Sequence, residues 1–272
     1  MNAPSNPASP RFRGITLIVA VLAACLAAPV LAQGDPVPLP EALAPALKRA
    51  ATPDHTAAAF LSIPYRDDAT VDESGRFTLF EHPETTLASP GLNCSGFVLS
   101  LSRFLLQKNI TLAQAKKDRA GDSGPQSPHG RDWDFGLDLV LNIAEGLPVR
   151  AVLPDGASPD VTQATGRDLR GFPIADAAAW ARVLPRLRPG FVYLASISKP
   201  VKKRGYTLLH YHVALILPAP DGTVSVYHAT PGSGSHRVVI STPQGLAQFQ
   251  SQFRDKVPGE KRILLLEAPL PR

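Results

Sequence analysis

The stretch FVYLASIS (Phe191–Ser198) opens a series of extended segments and is followed by TLLHYHVALIL (Thr207–Leu217) and TVSVYHA (Thr223–Ala229). Each is rich in β-branched and aromatic residues. The first gap, Lys199–Gly205, reads as a basic turn, and the second holds Pro220-Asp221-Gly222. Val224, Val226 and His228 alternate as one face of a strand does. Arg237–Ile240 and Arg262–Glu267 add two more segments, and Thr242 and Pro243 start a helix reaching about Phe253. Upstream the spacing is helical over Glu41–Ala51, Ala57–Leu61, Asn93–Gln107, Asp134–Ala144 and Asp176–Leu187, while Thr70–Phe80 reads as a β-turn or hairpin. Helices first and an antiparallel meander of about five strands afterwards predict an α+β fold.

Composition narrows the classes. Of 272 residues, 44% are hydrophobic and 19% charged, which excludes a wholly disordered chain and permits a sizeable core. The 28 prolines and 20 glycines argue against a long helical bundle. A net charge of +5, with no RNP, zinc-finger or helix-turn-helix pattern, gives no nucleic-acid signature.

Arg11 and Arg13 precede an apolar run, Ile15–Leu31, that exits through Val30-Leu31-Ala32. A positive flank, an apolar middle and a small-residue exit predict a secretory signal over 1–32, and hence a periplasmic or cell-envelope protein. Two alternatives stay open: Leu22-Ala23-Ala24-Cys25 resembles a lipobox, which would place a lipid anchor on Cys25, and the run is nearly long enough to remain as an uncleaved anchor. Cleavage near Ala32 leaves Cys94 as the one cysteine. A lone thiol in an oxidising compartment is either buried and inert or kept for its reactivity.

Asn93 offers an N-cap, so Cys94 falls in the first turn of a helix, where the dipole and free N–H groups favour a thiolate. Phe97, Val98, Leu101, Phe104 and Leu105 give that helix a buried face, and Cys94 points along its edge. A base has to come from elsewhere. His210 and His212 are expected on one face of their strand, and His228 follows on the next strand across a short hairpin. His212 hydrogen-bonded to His228 would complete a nucleophile, base and orienter. A competing arrangement groups His210, His212 and His228 as a three-histidine zinc site, with His210 otherwise expected at a cleft rim or on the surface. Asp134 and Asp138, one helical turn apart, read as a solvated face, and Trp133 and Trp180 as packing residues.

The segment Asn93-Cys94-Ser95-Gly96-Phe97-Val98 resembles the nucleophile motif of the NlpC-type cell-wall cysteine peptidases, a papain-like group. Ile63-Pro64-Tyr65-Arg66 is similar to that family's Pro-Tyr segment, and Leu187-Arg188-Pro189-Gly190 to its entry into the first core strand. His212-Val213-Ala214-Leu215-Ile216 and Tyr227-His228-Ala229 are similar to its base and orienter strands. The resemblance implies a papain-like α+β domain over 59–272, preceded by a linker and helix over 33–58. Because Cys94 and His212 lie 118 positions apart, it also implies an insertion over about 109–181. It implies a cofactor-free, metal-free hydrolase of peptidoglycan stem peptides. Cys94, His212 and His228 would be catalytic, the Ser95 backbone N–H would hold the oxyanion, and Tyr65, Tyr211, Lys202, Lys203 and Arg204 would contact substrate. A Cys–His acyltransferase or thioesterase, and a non-catalytic envelope binding module on the same fold, are the competing readings.

Overall fold

The computed structural model describes residues 36–124, 127, 132–162, 164–203, 206–254, 257 and 259–271, with the backbone alone at 202, 203, 206 and 207. The expected signal segment and Cys25 lie outside the described residues. Among those described, no helix is long and apolar enough to cross a membrane.

In chain order, two short helices, α1 (Ala44–Leu47) and α2 (Pro53–Ala58), lead to a hairpin of β1 (Ala69–Val71) and β2 (Phe77–Leu79). The helices α3 (Cys94–Leu106), α4 (Leu112–Ala115) and α5 (Phe135–Ile143) follow. Then come two-residue strands β3 (Arg150–Ala151) and β4 (Phe172–Pro173), and α6 (Ala177–Val183). The second half supplies β5 (Phe191–Lys203), β6 (Tyr206–Pro218), β7 (Val224–Thr230), β8 (Gly234–Val239), α7 (Pro243–Ser251) and β9 (Arg262–Pro269). The sheet order is β3-β9-β5-β6-β7-β8, with β4 also beside β9, and every pairing is antiparallel. The fold is therefore α+β with a seven-stranded sheet. Five long strands match the expected meander, and β3 and β4 are too short to leave a pattern in sequence.

Helices expected from spacing shorten where proline intervenes. Glu41–Ala51 yields only the four residues of α1, and the helix from Asp176 passes into a 3-10 turn at Leu184–Arg186, where Pro185 lies. The expected basic turn is narrower than Lys199–Gly205, because β5 runs on to Lys203 and pairs it with Tyr206.

Strand alternation divides the core into two layers. Val192, Leu194, Val213, Leu215, Tyr227, Leu264 and Leu266 face α3, α5 and the β1–β2 hairpin. Tyr193, Ala195, Ile197, Ala214, Ile216, Val226 and Leu265 face Trp180 of α6, and Phe249 and Phe253 at α7. Both faces of the central strands are covered, which is why those strands read as continuous apolar runs. Trp180 and Phe249 meet edge to face at 6.0 Å. The segment expected as an insertion builds the same body: α5 packs under β5 and β6, and β3 and β4 extend the sheet beyond β9.

One alternation breaks. Ile197 stands opposite His212 but Ser198 stands opposite His210, so Tyr211 is an extra residue, a β-bulge. His210 and His212 consequently project to opposite faces, which corrects the expectation that they share one.

The start of α3 is set by close contact. The Asn93 side chain accepts the Gly96 N–H at 2.7 Å, and the Asn93 N–H bonds Ala69 O at 3.0 Å. A Cβ on Gly96 would overlap Ala69 O and the Thr70 backbone. Gly96→Ala is therefore expected to destabilise the fold by about 1–3 kcal/mol, the usual cost of overpacking, measured as a lowered urea midpoint with an unchanged slope.

Candidate active site

Cys94 is the first residue of α3, as expected. Gly96 N–H goes to the cap side chain and Phe97 N–H to Asn93 O, which leaves the N–H groups of Cys94 and Ser95 for the thiol. The Val213 N–H of β6 also points at the sulfur, and Ser95 Oγ is 4.0 Å away. Burial dominates over these donors and pushes the thiol pKa up, so the resting group is a thiol. The residue nevertheless keeps some solvent exposure.

Tyr65 reaches this point through a parallel bridge to Leu92, two residues before the thiol. Leu92 N–H bonds Pro64 O at 3.1 Å, and Arg66 N–H bonds Leu92 O at 3.3 Å. Burial, then the nearby Cys94 and Asp67, raise the Tyr65 hydroxyl to about 12. Tyr65 is thus a neutral hydrogen-bond donor beside the nucleophile candidate.

The two strand histidines meet. His212 Nε2 and His228 Nδ1 are 2.9 Å apart, with rings nearly perpendicular at 79°. Both rings lie on the α7 face, where Phe253 stands 5.3 Å from His212 and Phe249 stands 5.9 Å from His228. Burial pushes His212 down to about 4 and His228 well below its ordinary value, so the pair is neutral at pH 7. The thiol comes from the α3 side and reaches the sheet at Val213, the residue after His212. There β6 and β7 have parted, since their pairing begins only at Leu215 and Tyr227. No hydrogen bond joins the thiol to His212 at rest.

Tyr211 projects beside this pair. Its ring is 6.5 Å from His212 and carries the Lys199 ammonium 4.2 Å from its centre. The side chains of Lys202 and Lys203, and the whole of Arg204, lie outside the described residues. His236, which the sequence did not single out, stacks on His228 with ring centres 4.4 Å apart.

Other expectations are corrected. His210 is neither rim nor surface: it is 2% exposed, with Nδ1 3.0 Å from Ser196 Oγ and Nε2 2.7 Å from Gly166 O. It ties the 154–171 loop to the sheet, and burial lowers it to about 4. Because the bulge turns it away from His212 and His228, the three-histidine zinc arrangement does not form. Asp134 and Asp138 are not a solvated face but are buried at 2% and 6% exposure. Asp134 takes the Ser123 hydroxyl at 2.5 Å, and Asp138 takes the Arg119 N–H at 2.9 Å. Burial raises Asp134 to about 7 and Asp138 to about 6, with the neighbouring carboxyls adding to it. Trp133 and Trp180 are fully buried packing residues.

Two pH dependences follow. Carboxyls whose folded pKa is raised stabilise fully below their unfolded value, near pH 4, and lose that contribution as pH rises toward 7. Asp134→Asn is expected to flatten this decline, so that urea unfolding at pH 8 shows the variant more stable than wild type. Iodoacetamide labelling of Cys94 is expected to keep accelerating above pH 9, later than a free thiol, because burial holds the proton. No family model, curated protein or solved structure matches this chain, so the chemistry rests on the residues themselves.

Proposed function

We propose that this chain is an exported cysteine hydrolase cutting amide bonds in peptidoglycan stem peptides, on a papain-like arrangement similar to the NlpC-type peptidases. The observation that carries the reading is the 2.9 Å His212–His228 pair, placed one residue from the Val213 N–H that meets the capped Cys94. The bridge that sets Tyr65 beside the thiol supports it, since the Pro-Tyr segment and the nucleophile segment come together.

In this reaction the Cys94 thiol, on the α3 face of β6, and His212 Nδ1, on the α7 face, have to meet through the opening between β6 and β7. The imidazole takes the thiol proton as sulfur attacks the carbonyl carbon. The Cys94 and Ser95 N–H groups, free of intrahelical partners, receive the oxyanion. Collapse breaks the C–N bond, and the departing amine takes the proton from His212. Water then attacks the thioester, giving its proton to His212, and the acid product leaves as Cys94 recovers a proton. Since burial disfavours charge on both partners, the thiolate forms during attack rather than standing as a resting ion pair. Tyr65 and Tyr211 flank the peptide, and the Lys199 ammonium offers a cation to the free carboxylates of the stem.

Buried thiol and imidazole with no bond between them also suit a non-catalytic envelope binding module, and one experiment separates the two. Purified muropeptides are incubated with wild type, Cys94→Ala and His212→Ala, and products are read by mass spectrometry. Hydrolysis by wild type with losses of at least about 10³-fold in Cys94→Ala and 10²-fold in His212→Ala supports the reading. Equal turnover by wild type and Cys94→Ala removes the thiol from the mechanism. Binding without turnover by any of them favours the module, and transfer of an acyl group to an added amine or thiol favours an acyltransferase.

A further inference from the structure

A cavity of about 440 Å³ opens between the loop at 153–155, β4 and one face of α6. β4 borders β9, so β9 and β5 stand between this cavity and β6 with its histidine. The volume suits a small molecule rather than a folded partner. Phe172 and Pro173 line it with apolar surface, and four charged side chains share the wall: Arg182, Arg262, Asp155 and Asp176. These charges do not cancel one another, since none of the four forms an ion pair with a described residue. Arg262 donates to Gly171 O at 2.5 Å, a neutral acceptor. Beside it stands a second guanidinium, Arg170, whose pKa burial and then the Arg262 charge lower. Arg170 in turn donates to Ser198 Oγ at 3.0 Å and to the Glu260 backbone carbonyl at 3.2 Å, both neutral.

The carboxylates are half committed. Asp155 takes the Ala157 N–H at 2.9 Å on one oxygen, and Asp176 takes the Ala179 N–H at 3.0 Å on one oxygen. On α6, Asp176, Ala179 and Arg182 recur every third residue and so share one face, with a small side chain in the middle. Six residues of helical rise put the acid and the guanidinium about 9 Å apart along the axis. That is too far for a direct pair of backbone-anchored groups to be the default, and it is close to the span of a short extended peptide, about 7 Å for two residues. A ligand bearing one charge would satisfy only half of this wall, and one bearing both would satisfy all of it. We infer that this cavity binds a short peptide with free termini, its carboxylate on Arg182 and Arg262, its ammonium on the remaining oxygens of Asp155 and Asp176, and its apolar body against Phe172 and Pro173. The site is separate from the proposed active site and does not rest on the hydrolase reading.

The test is a titration of the full chain with alanyl-leucine, with its N-acetyl form and with its C-terminal amide, read by backbone amide shifts in NMR spectra of wild type and Cys94→Ala. Alanyl-leucine is expected to saturate, with shifts confined to 153–157, 171–182 and 262, and with one Kd for both proteins. Blocking either terminus is expected to weaken binding about tenfold, the usual loss of one charge-assisted hydrogen bond. Arg182→Gln and Asp155→Asn are expected to do the same. Arg182 bonds no described residue, and Asp155→Asn keeps the oxygen that accepts the Ala157 N–H, so both variants are expected to fold, which urea unfolding checks. Absence of saturation in the millimolar range overturns the inference. So does equal affinity for the blocked peptides, or unchanged affinity in both variants. Binding that is lost in Cys94→Ala, with shifts along α3 and β6, also overturns it, because the peptide then occupies the proposed active site instead.

Discussion

An extra residue in one strand decides what each histidine of this protein does. Side chains along a strand alternate strictly, so without the bulge at Tyr211 His210 and His212 would face one way and compete for one environment. With it, His210 turns to the α5 face and closes on Gly166 and Ser196, and His212 turns to the α7 face and closes on His228. The bulge also leaves Tyr211 projecting on the His212 side, with Lys199 over its ring. One strand thus serves a loop anchor on one face and a hydrogen-bonded histidine pair on the other. Such insertions beside active sites are a common way to re-aim a side chain without disturbing the neighbouring strands.

The electrostatics share a single cause. Burial acts on a thiol and on an imidazole in opposite directions of pKa, yet in the same direction of charge: both are held neutral. The same holds for Asp134 and Asp138, which keep protons more firmly than exposed carboxyls do. The counterexample is Glu267. It is as deeply buried as Asp134, but Arg150 and Arg188 each stand 2.8 Å away and Tyr193 donates at 2.7 Å. These bonds outweigh burial and hold its carboxyl below the ordinary value. Partners, rather than depth alone, decide which buried groups carry charge here.

The long strands were legible because their composition is strong: FVYLASI and VALIL leave little choice of conformation. The start of α3 was legible because an asparagine cap is local chemistry, visible three residues from the N–H it binds. The His212–His228 pairing could be anticipated from one hairpin. What was hidden depends on distant chain. His210 is buried by a carbonyl 44 residues away, and Asp138 by Arg119 on a loop 19 residues before it. No local spacing encodes either contact. The bulge was hidden because Tyr211 and His212 suit a half-buried strand equally well in either register. His236 was hidden among glycines and serines, where a strand of six residues leaves a faint pattern.

The last strand does not end up at the margin of the sheet. β9 lies between β5 on one side and β3 and β4 on the other, so residues 262–269 form an interior seam of the sheet. Until β9 docks, β5 has a bare, unpaired edge some eight residues long, from Phe191 to Ser198. An open edge of this kind invites pairing with other strands. Closing pairings between such distant parts of the chain slows assembly.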